Sequence, residues 1–181
     1  EISERMGPRG QKRDEKLLEA CRESLLNQFE GRSDMLAHLA KSVLAFETPL
    51  SLFSGFVLGR AEHESEFDIK KGGIFAIVHG IRILSLEHKI IQTNTTERIK
   101  ELNNIGLFDK RFASELIEAY DTLLSIRLRF ILAQKQGNDD QNYVNPKLLS
   151  KAERDLLKDA FKIVNTFKKF LTYHFHLGMV V

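Results

Sequence analysis

Ile74-Phe75-Ala76-Ile77-Val78-His79-Gly80-Ile81-Arg82-Ile83-Leu84-Ser85-Leu86 is the most apolar stretch of the chain, and its reading decides the fold. Ile74, Phe75, Ile77, Val78, Ile81, Ile83, Leu84 and Leu86 fall around the whole helical circumference, the pattern of a helix enclosed by others. Arg82 interrupts the run and Glu87 closes it, well short of the roughly 20 apolar residues that span a bilayer. Membrane insertion is therefore excluded.

Amphipathic helices are expected on either side of this segment. Upstream, Leu17, Leu18, Cys21, Leu25, Leu26 and Phe29 recur at helical spacing from Asp14 to about Gly31. Met35, Leu36, Leu39, Val43 and Phe46 form the apolar face of a second helix, capped by Ser33 or Asp34 and ending before Pro49. Leu50 to Leu58, broken by Ser54 and Gly55, reads as an extended segment over the core. Glu62, Glu64, Glu66 and Asp68 then form an acidic connector. Downstream, Asn94 with Glu97 resembles a capping box, with Thr95 a rival cap, and Gly106 followed by Leu107 fits a helix stop. A long fifth helix carries Phe112, Leu116, Tyr120, Leu123, Leu124, Phe130 and Ile131 to about Gln136, before a polar loop from Gly137 to Pro146. Ser150 and Glu153 are the clearest capping box, opening a last helix through Leu156, Leu157, Phe161, Val164, Phe167 and Leu171. The sum is an all-α bundle of about six helices with a central buried helix.

At 181 residues the chain fits one domain, placed at 14–181, with residues 1–13 a flexible lead-in or expression remnant. Beginning at Glu1 rather than Met, it reads as an excerpted or processed chain. Its 27 Lys and Arg against 25 Asp and Glu leave a net charge of +2, too small to imply nucleic acid. The lone Cys21 cannot form an intramolecular bridge. With no secretory segment in view, this favours a reducing cytoplasm. Its place on an apolar stripe predicts a buried, inert thiol.

Catalytic and metal constellations are weak. The alternating acids of the connector could hold two metal ions, but they lack the rigid strand and phosphate-holding loop such sites use. His174 and His176, two apart, do not share a helical face, and no Glu-x-x-His pair occurs, so no metal site is expected. Cations in apolar surroundings are more informative. Phe75, His79, Arg82 and Leu86 share one stripe, and Leu116, Tyr120, Leu123, Arg127 and Phe130 share another, which predicts that these cations face protein, a cavity or a ligand. A buried guanidinium needs a partner. Asp68, Glu87, Glu97, Glu118 or Asp121 could supply it internally, and an anionic ligand could supply it from outside. Lys70, Lys71, Arg82, Lys89, Arg98 and Lys100 against Glu87 and Glu97 give this region a local balance of +4. Gly72 and Gly73 open a helix, where free amides favour phosphate oxygens, although Gly73 equally suits close packing.

The run Phe67-Asp68-Ile69-Lys70-Lys71-Gly72-Gly73-Ile74-Phe75-Ala76-Ile77-Val78-His79-Gly80-Ile81-Arg82, then Thr93-Asn94-Thr95-Thr96-Glu97-Arg98-Ile99, resembles the nucleotidyltransferase substrate-binding domain family. The likeness continues through Leu124-Ser125-Ile126-Arg127-Leu128-Arg129, Asn145-Pro146, Leu149-Ser150 and Leu156-Leu157-Lys158, reaching from about Leu17 to Phe170. It implies a helical module C-terminal to a nucleotidyltransferase catalytic domain, in bacterial signal-transduction proteins that often carry cyclic-nucleotide-binding and CBS domains. The family is similar to the nucleotidyltransferase parts of enzymes that uridylylate the PII protein or adenylylate glutamine synthetase. The catalytic Gly-Ser loop, its paired carboxylates, the metal and the nucleoside triphosphate all belong to the upstream domain, and no cofactor is expected on this chain.

The resulting expectation is a noncatalytic, cytoplasmic substrate-binding half whose basic cleft holds a nucleotide or an acidic protein acceptor. Lys70, His79, Arg82, Arg98 and Arg127 are its contacts, oriented by Asp68 and Glu97, with Arg129 set apart on another helical face. The alternative is a docking or homodimerisation module whose arginines are internal ion pairs. Its support is an apolar tail of Phe167, Phe170, Phe175, Leu177, Met179, Val180 and Val181. DNA binding ranks third, because no aromatic and basic interleaving or recognition helix stands out.

Overall fold

Local signals start and stop most of the helices of this chain, whose computed structural model describes residues 8–50, 56, 65–133 and 142–179. The helices are α1 (Pro8–Phe29), α2 (Ser33–Lys41), α3 (Phe75–Glu87), α4 (Thr95–Asn104), α5 (Lys110–Ala133) and α6 (Lys151–His174). Asn94 caps α4, its side-chain oxygen accepting the amides of Thr96 at 2.9 Å and Glu97 at 3.2 Å. Gly106, in the left-handed region at φ 80°, ends the turn that follows. At α6 the capping box is complete: the Glu153 amide donates to Ser150 Oγ at 3.2 Å, and the Ser150 amide donates to Glu153 Oε2 at 2.7 Å.

Helix α3 packs against α1, α2, α4 and α6 and buries Ala76, Ile77, Gly80, Ile81, Ile83, Leu84 and Ser85. Close approach is what its glycines permit. A Cβ at Gly80 would stand 2.6 Å from both Leu171 Cδ1 and Phe167 Cε1, and one at Gly73 would stand 2.9 Å from Leu123 Cδ1. α5 and α6 form the most extensive helix pair, and Phe161, Val164, Phe167 and Leu171 of α6 are buried in the common core.

A two-stranded antiparallel ribbon, β1 (Phe67–Asp68) against β2 (Tyr143–Val144), precedes α3. Asp68 then accepts the Lys71 amide at 2.8 Å and starts a π-helical turn, Lys70–Ile74, that runs into α3.

Several expectations need correction. α1 begins at Pro8, inside the segment read as a lead-in, because proline suits a first helical turn and a polar helix shows no apolar period. Its stripe is not buried: Leu17 is 64% and Leu18 52% exposed, and Cys21 is exposed as well. α2 and the 3-10 turn Ser42–Ala45 that continues it turn Leu36, Ala37, Ala40 and Val43 inward and leave Met35 and Phe46 outside, since the small alanines let α2 approach the core more closely. The tail Phe167, Phe175 and Leu177 is buried, with Phe170 packed beside it, as α6 folds its end back through a turn at Leu177–Met179. Residues 1–7, most of the Leu50–Leu58 segment, Glu62, Glu64, 134–141, Val180 and Val181 lie outside the described residues. Among the described residues no helix is long and apolar enough to cross a membrane.

Candidate functional site

The stripe Phe75, His79, Arg82 emerges where α3 faces the last turns of α2 and the start of α4. The Phe75 and His79 rings stack at 5.0 Å with a 15° interplanar angle, which fixes the half-buried imidazole. Burial lowers the His79 pKa and the Arg82 charge lowers it further, while a hydrogen bond to the Leu39 backbone acts in the opposite direction. Arg98 comes from α4, directly after the Asn94 cap, and its Nε donates to the Gln92 carbonyl at 2.6 Å. Its pKa too is lowered, first by burial and then by Arg82.

Arg82 thus couples to both neighbours. Contrary to the enclosed position expected from its stripe, Arg82 is exposed: its long side chain carries the guanidinium past the apolar surface to solvent. Among the described residues, neither Arg82 nor Arg98 has a carboxylate within ion-pair distance, and Glu97, next to Arg98 in the sequence, is bonded to Lys100 at 2.8 Å. The Arg82 charge acts on two neighbouring cationic or protonatable groups, and no ion pair among the described residues involves Arg82 or Arg98. Such an arrangement suits an anion that can accept forked hydrogen bonds from guanidinium.

The remaining sequence-derived residues lie elsewhere. Lys70 is exposed at the start of the π-turn. Arg127 is half-buried and donates from Nε to Asn142 Oδ1 at 2.9 Å, while the Asn142 carbonyl accepts the Ile69 amide at 2.9 Å. That places Arg127 beside Ile69 at the entry to the π-turn, more than three helical turns before Arg82. Arg129 is ion-paired with Glu153 and also donates to the Leu148 carbonyl at 3.2 Å, bracing α5 against the cap of α6. Asp68 serves Lys71 and Glu97 serves Lys100, so neither orients the arginines. Gly72 and Gly73 pack against Pro49, Leu123 and Phe161, and the amide of Lys71 is already taken by Asp68.

A cavity of about 380 Å³ lies on the other side of the π-turn, lined among others by Glu47, Pro49, Asp68, Lys71 and Tyr143. Its two carboxylates and a lysine already engaged with Asp68 make it a poorer anion site than the His79–Arg82–Arg98 cluster. Beside it runs a residue the sequence reading passed over. Lys168 is buried on the apolar stripe of α6 and donates to the Phe46 carbonyl at 2.6 Å and Thr48 Oγ1 at 3.1 Å. Burial holds its pKa below the ordinary lysine range. Its helical offset from Val164 and Leu171 was the available signal.

An all-helical bundle with cations gathered beside α3 defines the class of protein. The chain belongs to the family described as putative nucleotidyltransferase substrate binding domain, whose model matches residues 33–175, from the start of α2 to the residue that caps α6. Membership implies association with a nucleotidyltransferase. No curated protein and no solved structure matches the chain.

Proposed function

We propose that this domain supplies the basic wall of a nucleotidyltransferase cleft, in a cytoplasmic bacterial signalling protein, and that His79, Arg82 and Arg98 hold the phosphates of a nucleotide or the acidic side chains of an acceptor. The influence of the Arg82 charge on both His79 and Arg98, with no carboxylate paired to either arginine among the described residues, supports the reading. Lys70, exposed at the far end of the same helical run, lies too distant to share the anion, and Arg127 and Arg129 brace the bundle. The reacting atoms, metal and leaving group belong to the adjoining catalytic domain, and this domain's part is to position charge against them.

Calorimetric titration of a nucleoside triphosphate into the domain joined to its catalytic partner tests this. Arg82→Ala is expected to weaken binding about tenfold or more, from the loss of a charge-assisted contact, with an unchanged circular dichroism spectrum. Unchanged affinity in a folded variant rejects the role. The docking alternative rested on the apolar tail and on internal ion pairs, and the tail is largely buried. Only Arg129, among the arginines weighed for the site, meets a carboxylate within the described residues.

A further inference from the structure

α3 and α6 end at the same place. Glu87 is the last residue of α3, His88 its C-cap, and His174 the last residue of α6. The Nε2 of His174 lies 2.6 Å from Glu87 Oε2, and the Nε2 of His88 lies 3.5 Å from the same oxygen. One donor atom from each of the three residues falls within 4.8 Å of the others. We propose that Glu87, His88 and His174 form a binding site for a divalent ion of the zinc class, set between the C-terminal ends of α3 and α6.

The donor set is the first argument. Two imidazoles and a carboxylate suit a borderline ion such as Zn2+, and a fourth position is left for water or an incoming oxygen. Donors about 2.0–2.1 Å from a tetrahedral ion stand about 3.3–3.4 Å apart. The His88–Glu87 separation already matches, and the His174–Glu87 pair has to open by less than about 1 Å.

Backbone conformation is the second argument. Consecutive residues on a regular helix do not face one another, so Glu87 and His88 could not converge from inside α3. His88 has left the helix, at φ −95° and ψ 11°, and Lys89 follows in the left-handed region at φ 54°. That departure swings the His88 ring back toward Glu87.

Orientation and field make a third. The His174 ring stacks on Phe170 at 5.5 Å and meets Phe175 edge-on at 4.6 Å, so its nitrogen is aimed before any ion arrives. The two helix C-termini present negative dipole ends, which favour a cation. Lys89, next to His88 in the sequence, is drawn away, since its Nζ pairs with Glu30 at 3.1 Å. The side chains of His174, Glu87 and His88 are 23%, 28% and 32% exposed, leaving solvent a path in.

Tag-free full chain, stripped with a chelator, is titrated with ZnCl2 by calorimetry and with Co2+ by visible absorption. Expected are one ion per chain, the d–d bands of four-coordinate cobalt, and a melting temperature raised by zinc but not by Mg2+. His88→Ala, at the least buried of the three, is expected to weaken zinc about tenfold or more while circular dichroism stays unchanged, and His174→Gln to do the same. If His174→Gln does not fold, His88→Ala decides. Absence of stoichiometric zinc uptake, or undiminished uptake by folded His88→Ala, overturns the proposal and leaves a His174–Glu87 hydrogen bond alone.

Discussion

His79 illustrates what a single residue's surroundings do to its chemistry. Burial and the Arg82 charge both push its pKa below the ordinary histidine range, which favours the neutral imidazole in the free domain. An anion placed against Arg82 offsets that repulsion and raises the pKa again. Binding is therefore coupled to proton uptake, and affinity is expected to increase as pH falls below 6.5 toward the depressed value of the free protein. Calorimetry in buffers of differing ionisation enthalpy would register the uptake, and His79→Gln would abolish it. A pH-independent affinity between 5 and 7 contradicts the placement of the anion beside His79. The same residue scale shows the limit of reading stripes. Arg82 and Lys168 both occupy apolar stripes, yet one reaches solvent and the other donates to the Phe46 carbonyl. Helical position indicates which way a Cα faces, and the length of the side chain decides where its charge ends.

Elements were legible where their signals are local. The α6 capping box forms as read, while at α4 only the Asn94 half of the expected box forms, because Glu97 turns to Lys100 instead of returning to Asn94. The β1–β2 ribbon was not legible, because two-residue strands have no period to detect and their pairing joins residues far apart in sequence. Glycine in a helix is similarly ambiguous until its neighbours are known. Gly80 costs α3 helix propensity, and what it gains is contact with α6. Gly80→Ala is expected to destabilise the chain by about 1–3 kcal/mol despite alanine's better propensity, since a methyl 2.6 Å from Phe167 and Leu171 forces two core side chains to move. Urea unfolding is the measurement, and equal or greater stability would show that the two helices separate freely.

For the whole molecule, the unsettled element is α1. It lies outside the 33–175 family match, and its stripe, with Leu17, Leu18, Cys21 and Leu25 exposed, carries the right period but meets little of the bundle. Periodicity reveals that a helix has an apolar face without revealing what meets that face, which is why its burial was misread. What α1 contributes lies near its end, where Leu26 and Phe29 are half-buried, Phe29 packs on the core, and Glu30 pairs with Lys89. The buried core itself runs from Leu36 to Leu177. Removing residues 1–32 is therefore expected to leave a cooperatively folding bundle. Among the described residues the loss is the partial burial of two side chains, about 1–3 kcal/mol or roughly 2–12 °C in melting temperature, and two exposed ion pairs, Glu30–Lys89 and Arg32–Asp34, that add little. Removing the exposed leucines should also reduce concentration-dependent association in sedimentation, because an apolar stripe of this kind favours self-contact. Loss of a cooperative thermal transition in the shortened chain would show that α1 is integral to the core, and that its leucines are held by contacts stronger than their exposure indicates.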